Sequence, residues 1–495
     1  MRFYAIDDSL KEAIDKGTAA VKVRVEIERG GHFEAVFERD IIEASFYGLK
    51  EVAGGTSARG EVLLDNPKGM YSAENGAGRE VRVSFSIGEG LPWFQRFTFF
   101  VDGKGFQDIR GPGRVRRVLL GLRDRSAFLR RTDESRDWTQ PAVFTYSVIC
   151  DKTQPEKSLV HRIAKRAGLA VQDIDCATIP VTLPYVKLTK NTWAELSALA
   201  TAYRCHLECP VEKPLVFAHS PYQDEPLSAD DENPSYTFTG VDIFYLRVTE
   251  RADQYRNTVR LKINIPVALE KQEIWRYEDP PVLYDSSLAP VYPFRGSALR
   301  DIEQYDYEAL YTVKDSKGAE RRVIFADQID TIEEAQERLS YEGGPFVYSA
   351  YDTTTHHDKA IITLGSDNDG DLFKASIFGR PIVLDVNRSA FLRDSNAVTL
   401  HGTCALNVTG SYFSEDVFNG RPQYEDWTAQ ELAERLQERR EITVKTHRAL
   451  FHGRVGARVK IETRDGTAKG TVNAFSLRYK RDAAFVAAFK VTVTT

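Results

Sequence analysis

Arg59-Gly-Glu-Val-Leu-Leu-Asp-Asn-Pro-Lys-Gly-Met-Tyr71-Ser72, followed by Gly78-Arg-Glu-Val-Arg-Val83 and then Arg96-Phe-Thr-Phe-Phe-Val-Asp102-Gly103, decides how this chain is read. Apolar and polar positions alternate with the two-residue period of a half-buried strand, and Asn, Pro and Gly punctuate the runs. The order is strand, polar turn, strand, turn, strand. None of these residues looks like an acid, a base or a metal ligand.

The same period extends outward. Val21, Val23, Val25 and Ile27 alternate with Lys22, Arg24, Glu26 and Glu28, and Gly30-Gly31 turns this run into Phe33-Glu-Ala-Val-Phe37, which predicts a hairpin. Residues 20–130 therefore read as a β-domain closing at Arg114–Ser126. A short helix precedes it, with a capping box at Ser9-Leu-Lys-Glu12 and a stop at Gly17.

Beyond residue 140 the period changes. Thr153-Gln-Pro-Glu156 reads as a second capping box, and Leu159, Val160, Ile163, Ala164 and Ala167 share one helical face that ends at Gly168. Thr192-Trp-Ala-Glu195 opens another helix, with Trp193, Leu196, Leu199, Ala200 and Tyr203 inward. Strands are expected at His206–Cys209 and Pro214–Phe217. Ser220 to Tyr236 reads as a linker, and Val259, Leu261, Ile263 and Ile265 alternate as a strand. Asp279 to Phe294 is expected to be irregular, Asp330–Leu339 a short helix, and Ala360–Leu364 and Pro381–Val386 strands. The C-terminal segment reads as a helix from Trp427 to Arg440 and strands at Ala457–Thr463, Thr471–Tyr479 and Ala484–Val493.

Two features resemble phage tail-tip and baseplate hub proteins, a family also found in prophage-like and contractile injection machines. The first is the β-signature of residues 59–103, although Pro67-Lys-Gly69 stands where an Asp-Gly is more usual. The second is Ser158-Leu-Val-His-Arg-Ile-Ala-Lys-Arg-Ala-Gly-Leu169 followed by Trp193-Ala-Glu-Leu-Ser-Ala-Leu-Ala200. The Ala429–Leu436 helix followed by Gly456–Ile461 is similar to the close of many hubs. The resemblance covers about the first 220 residues and the last 70.

It implies a mainly β, multidomain protein with α+β insertions: two β-barrel-like tube domains, a small α/β domain and a C-terminal helix-and-meander module. The expected units are 1–140, 141–236, 237–425 and 426–495, and the second wall element is expected from residues after Val241 with the C-terminal strands. It further implies a structural hub at the distal end of a tail, a homotrimer whose ring joins the tail-tube protein to a spike or fibre protein beside other baseplate components. DNA would pass through the lumen only transiently. The chain would be made in a bacterial cytoplasm and end in the virion tail.

Composition is consistent with this. The chain has 495 residues, 42% apolar and 28% charged, and its 27 Phe and 22 Tyr suit sheets. Its net charge of −6 argues against a nucleic-acid grip over the whole surface. Asp426–Thr495 carries 14 basic against 8 acidic side chains, leaving −12 on the first 425 residues. The lumen that the resemblance implies is expected to be neutral or acidic, consistent with that figure, and would not hold passing phosphate. No apolar stretch approaches the ~18–20 residues of a membrane span, and Met1–Asp8 lacks the layout of a signal peptide.

Chemical motifs are sparse. Five cysteines, an odd number, predict no disulfide framework. Cys205 and Cys209 are spaced for zinc, but with Pro210 next and no second pair they read as free thiols. His356-His357-Asp358 reads as an exposed loop, because neighbouring strand residues point to opposite faces. Asp367-Asn-Asp-Gly-Asp371 lacks the Gly and Glu positions of a calcium loop. Asn407-Val-Thr409 fits a glycosylation acceptor. No phosphate loop, nucleophile elbow or HExxH is present. The expectation is therefore no catalytic, cofactor-binding or metal-binding residue.

Two rival readings fit the same sequence, a carbohydrate- or peptidoglycan-active β-protein of a tail tip and a receptor-binding adhesin module. A carboxylate pair for glycoside hydrolysis cannot be read from spacing. The sequence predicts no turnover of cell walls or glycans by the purified protein. Reproducible turnover that a single Asp or Glu substitution abolishes would overturn this.

Overall fold

In the computed structural model the chain is mainly β, with several sheets and few helices. The structure describes residues 3–17, 20–36, 38–50, 55–66, 71, 77–110, 116–131, 143–219, 234–250, 254–268, 381–418, 420–436, 439–464 and 466–494, and the backbone of strands between 272 and 379. The readings at 220–233, 279–294, 330–339, 356–358 and 367–370, and the turn at 67–70, lie outside the described residues.

The N-terminal part supplies β1 (Val21–Arg29), β2 (His32–Ala35), β3 (Ile41–Lys50), β4 (Thr56–Asp65), β5 (Glu80–Ile87), β6 (Phe94–Arg110) and β7 (Arg116–Arg123). Distant parts of the chain supply β8 (Tyr236–Phe238), β9 (Ile243–Glu250), β10 (Arg439–Thr446), β11 (Arg458–Thr463), β12 (Gly466–Lys480) and β13 (Val486–Thr494). All thirteen form one sheet in the order β9-β10-β13-β12-β3-β4-β7-β6-β5-β1-β2, with β11 pairing β12 and β8 pairing β11. Seven strands from one stretch thus lie beside six that residues 236–250 share with the C-terminus.

The alternation in β1 is realised as written: Val23, Val25 and Ile27 are buried, and β1 pairs β2 across Gly30 and Gly31, both at positive φ. The first helix, α1 (Asp8–Lys16), ends at Gly17 with φ +71°, as expected. Its cap differs, because the Asp7 carboxylate accepts from the Ser9 N–H at 2.9 Å. A carboxylate two residues earlier takes the cap in place of the serine hydroxyl.

The join between the two halves is β3 against β12, antiparallel from Glu43↔Lys480 to Leu49↔Ala474. Gly48 is required there, since a Cβ on it would meet the Phe475 ring at 2.3 Å. Below the join, buried Arg96 donates to the carbonyls of Phe451 at 3.1 Å and Gly453 at 2.8 Å. Its guanidinium lies over the rings of Tyr4, Phe97 and Phe475. One hydrophobic core runs beneath both halves, from Phe46, Phe85 and Phe99 to Phe451, Phe475 and Phe489.

A second core holds the α/β unit. Val143–Cys150 pairs Ile179–Lys187, while Cys205–Glu208, Leu215–His219 and Ile174–Cys176 form a separate three-stranded sheet. Helices α2 (Ser126–Leu129), α3 (Leu159–Arg166) and α4 (Thr192–Ala202) accompany them. The helix expected at Thr153 begins later, with Ser158 as its cap. In α4 the cap is Asn191, and Glu195 instead accepts from the loop N–H groups of Thr189 and Lys190 at 2.7 Å each. Both Thr-x-x-Glu patterns name a region where a helix starts, and the residue with non-helical backbone closest to the first free N–H groups takes the cap.

Two further pieces join this core. Val259, Leu261, Ile263 and Ile265 of the strand Thr258–Ala268 are buried in it, within a five-stranded sheet that includes Pro381–Arg393 and Ala405–Gly410. The short helix α5 (Ser395–His401) connects the last two strands. Helix α6 (Gln423–Leu436) also packs here: Trp427 Nε1 donates to the Thr201 carbonyl at 3.0 Å, and Gln423 donates to that of Ala202. Side chains of α6 thereby bond to carbonyls at the end of α4. The segment read from the sequence as 426–495 accordingly serves both cores, its helix the second and its strands the first.

One expectation is corrected. Cys150 and Cys176 form a disulfide, and Cys205, Cys209 and Cys404 are free thiols. Pairing depends on which cysteines the fold brings together, which an odd count does not reveal.

Trp193 is 2% exposed, packed in the second core with Leu196 and Leu199 and covered by Arg130 at 5.2 Å from its ring centroid. Trp193→Ala should cost about 3–5 kcal/mol in denaturant unfolding. A loss below about 1 kcal/mol would show that its packing is not needed.

His452 is buried with its ring edge-on to Phe3. Burial, followed by the charges of Arg96 and Lys11, pushes its pKa down to about 4 from the ordinary 6.5. Between those values the unfolded chain binds the extra proton. Stability should therefore fall as pH drops through this window, by up to about 1.4 kcal/mol per pH unit for this one group. His452→Phe should flatten that part of the pH profile; an unchanged slope would mean that the imidazole is already protonated in the folded chain.

Candidate assembly surface

β9 ends the large sheet. It pairs β10 with Leu246 opposite Val444 and Val248 opposite Ile442, and among the described residues no strand pairs its outer edge. Phe244 and Val248 are each 50% exposed, Tyr245 and Leu246 are also exposed, and Val241 in the preceding turn is 91% exposed. Successive strand residues point to opposite faces, so exposure of Phe244 together with Tyr245 means that both faces of this strand are open.

The turn that launches β9 is fixed by charge. Arg448 Nε donates to Asp242 at 2.7 Å, and its Nη1 donates to the carbonyls of Ile14 at 3.1 Å and Asp15 at 2.7 Å, at the end of α1. Thr239 donates to the same carboxylate through its hydroxyl at 2.7 Å. Partial burial would raise the Asp242 pKa, but these hydrogen bonds and the Arg448 charge hold it below the ordinary carboxylate value. Along β9, Lys445 lies over the Tyr245 ring at 4.5 Å and Phe244 stacks on His447 at 4.1 Å.

The other end of the sheet is unlike it. β2 has four residues, and Glu34 pairs Arg29 at 3.2 Å while Arg82 covers Phe33. Short, charged edges resist pairing, whereas a longer apolar edge invites it. β9 is of the second kind, softened only by Arg247 and Glu250.

The residues weighed for chemistry do not converge into a site. Cys205 is buried, which pushes its thiol up to about 12, and Cys209 is raised by burial as well. Neither belongs to a cluster of three metal-ligating side chains among the described residues. Asn407 and Thr409 are exposed positions of a strand. The buried carboxylates are engaged in structural contacts: Glu195 also accepts from the Tyr412 hydroxyl, and Glu208 is ion-paired with Arg454 and approaches His206 at 3.1 Å. A small cavity between the two cores is lined by Tyr4, Thr56, Arg96, Asp124, Glu208 and Arg454. Sequence reasoning reads Phe244–Ile265 as β-structure but does not single out the edge of β9 as a surface. Its signal was the run Ile243-Phe-Tyr-Leu246, which breaks the apolar–polar alternation of a strand covered on one face only. Among the described residues no helix is long and apolar enough to cross a membrane.

No family model matches the chain, and no curated protein matches it significantly. Solved structures similar to it are those of phage and prophage tail proteins. A tail protein from Neisseria meningitidis MC58 is 11% identical, with 96% of each chain covered and a TM-score of 0.48. The 43 kDa tail protein of prophage MuSo2 from Shewanella oneidensis is 10% identical over 95% of this chain and 98% of that one, with a TM-score of 0.48. A prophage tail protein from Listeria monocytogenes EGD-e is 8% identical over 96% and 94%, with a TM-score of 0.41.

Proposed function

We propose that the chain is a structural protein of a phage tail or a related injection machine, and that it is the central hub at the distal end of the tail tube. The observation that carries this reading is the composite sheet, seven strands from residues 21–123 beside six from residues 236–250 and 439–494. Each chain then brings two wall elements, and a homotrimer brings six, the number needed to continue a hexameric tube while presenting threefold symmetry to a spike or fibre protein. The sequence signatures at 59–103, 158–169 and 193–200 support the same reading.

Copies meet in this reading through the ends of the sheet, where the apolar edge of β9 gains backbone and side-chain partners. The α/β unit of residues 141–236 stays outside the wall. The chain is made in the bacterial cytoplasm and works in the virion tail beside the tail-tube protein and other baseplate components. DNA passes through the ring without being held, and the chain performs no catalysis.

Light scattering on the full chain mixed with its tube protein should give three copies per ring. Phe244→Glu combined with Val248→Glu should reduce this to single copies with the thermal transition unchanged, because both side chains are half exposed. A double variant that assembles like the parent, or a cryo-EM map of the particle placing the chain off the tube axis, would overturn the proposal.

A further inference from the structure

We propose that Cys150, Cys176 and His161 form a zinc-binding site in the reduced protein, with two thiolates and one imidazole nitrogen as ligands. All three side chains are buried, and their ligand atoms lie within 4.8 Å of one another. His161 Nδ1 is 4.0 Å from Cys176 Sγ. With Zn–S near 2.3 Å and Zn–N near 2.1 Å, two ligands of a tetrahedral zinc stand roughly 3.6 Å apart, so this ring needs only a small shift.

The three residues come from three elements. Cys150 ends the strand Val143–Cys150, His161 lies in the first turn of α3, and Cys176 ends the strand Ile174–Cys176. These two strands belong to different sheets, with no ladder between them. A cross-link at this point therefore joins parts of the α/β unit that backbone hydrogen bonds leave separate.

The chemistry of the pocket suits a soft divalent cation. An imidazole and two thiols buried together are a donor set for such an ion. Ser158 Oγ lies 2.7 Å from the same His161 Nδ1, so the metal takes the place of this hydroxyl contact at that nitrogen. Two thiolates neutralise Zn²⁺, so the loaded cluster has no net charge to bury. Three protein ligands leave the fourth position for water.

The disulfide and the metal are alternatives at one place. A phosphine such as tris(2-carboxyethyl)phosphine delivers two electrons to the S–S bond, which takes up two protons to give two thiols, while the phosphine becomes its oxide with oxygen from water. Zn²⁺ binding then releases both thiol protons to solvent. The inference is independent of the assembly reading.

The test is cobalt titration of the full chain, oxidised and phosphine-reduced, followed by displacement with zinc. The reduced chain should bind one Co²⁺ with a thiolate-to-cobalt charge-transfer band that zinc removes, and the oxidised chain none. Cys176→Ser should abolish the band, and His161→Gln should weaken binding at least tenfold. A Cys205→Ser/Cys209→Ser/Cys404→Ser chain with unchanged near-ultraviolet circular dichroism should bind like the parent. Absence of stoichiometric binding by the reduced parent chain would overturn the proposal, as would a band that persists in Cys176→Ser or disappears from the folded triple variant.

Discussion

The antiparallel join of β3 to β12 is the contact on which the large sheet depends. It spans Glu43↔Lys480 to Leu49↔Ala474 and is the place where the seven-stranded and six-stranded halves become one sheet. Closing so long a loop costs only logarithmically more than closing a short one, and the return is a single core beneath both halves. Arg96 reinforces it, because its two bonds to the carbonyls of Phe451 and Gly453 couple β6 to the loop before β11. Removing that side chain would leave both carbonyls buried without their donor, at about 1–3 kcal/mol each.

The second core depends on the first for position. Bridging side chains run between the two, with Arg454, from the loop before β11, paired to Glu208 of the α/β unit. Trp193 fills the space beside Gly55, where a Cβ would come within 2.7 Å of the indole. The middle of the chain is held at its ends by the strand Thr258–Ala268 and by α6, both packed on the α/β core. The chain thus leaves and re-enters the large sheet by way of a second, separately packed body.

Much of this was legible locally and little of it globally. The alternations at 21–27 and 259–265 gave the buried face of each strand correctly, because side-chain period follows directly from backbone geometry. Gly17 and Gly30-Gly31 were readable for the same reason, their positive φ favouring residues without a Cβ. Pairing across the chain was not available from any period. Nothing in Thr471–Tyr479 names β3 as its neighbour, and nothing in the helix at Trp427 says that it would dock on α4 while the strands beside it docked elsewhere. The Cys150–Cys176 bond escaped for a related reason, since sequence spacing is silent about which ends two strands bring together. The exposed edge of β9 was visible only as a break in alternation, and a run of apolar residues reads equally well as a strand buried on both sides.

The join of β3 to β12 also sets the order of events during synthesis. β3 leaves the ribosome roughly 400 residues ahead of its partner; at about 5–20 residues per second it waits on the order of 20–80 s. For that interval the nascent chain presents the open edge of β3, paired only with β4, over a core still missing Phe475 and Phe489. A product cut short anywhere before β12 keeps that surface for good. The first core therefore closes only once β12 and β13 have been made, and until then the seven-stranded half waits for them.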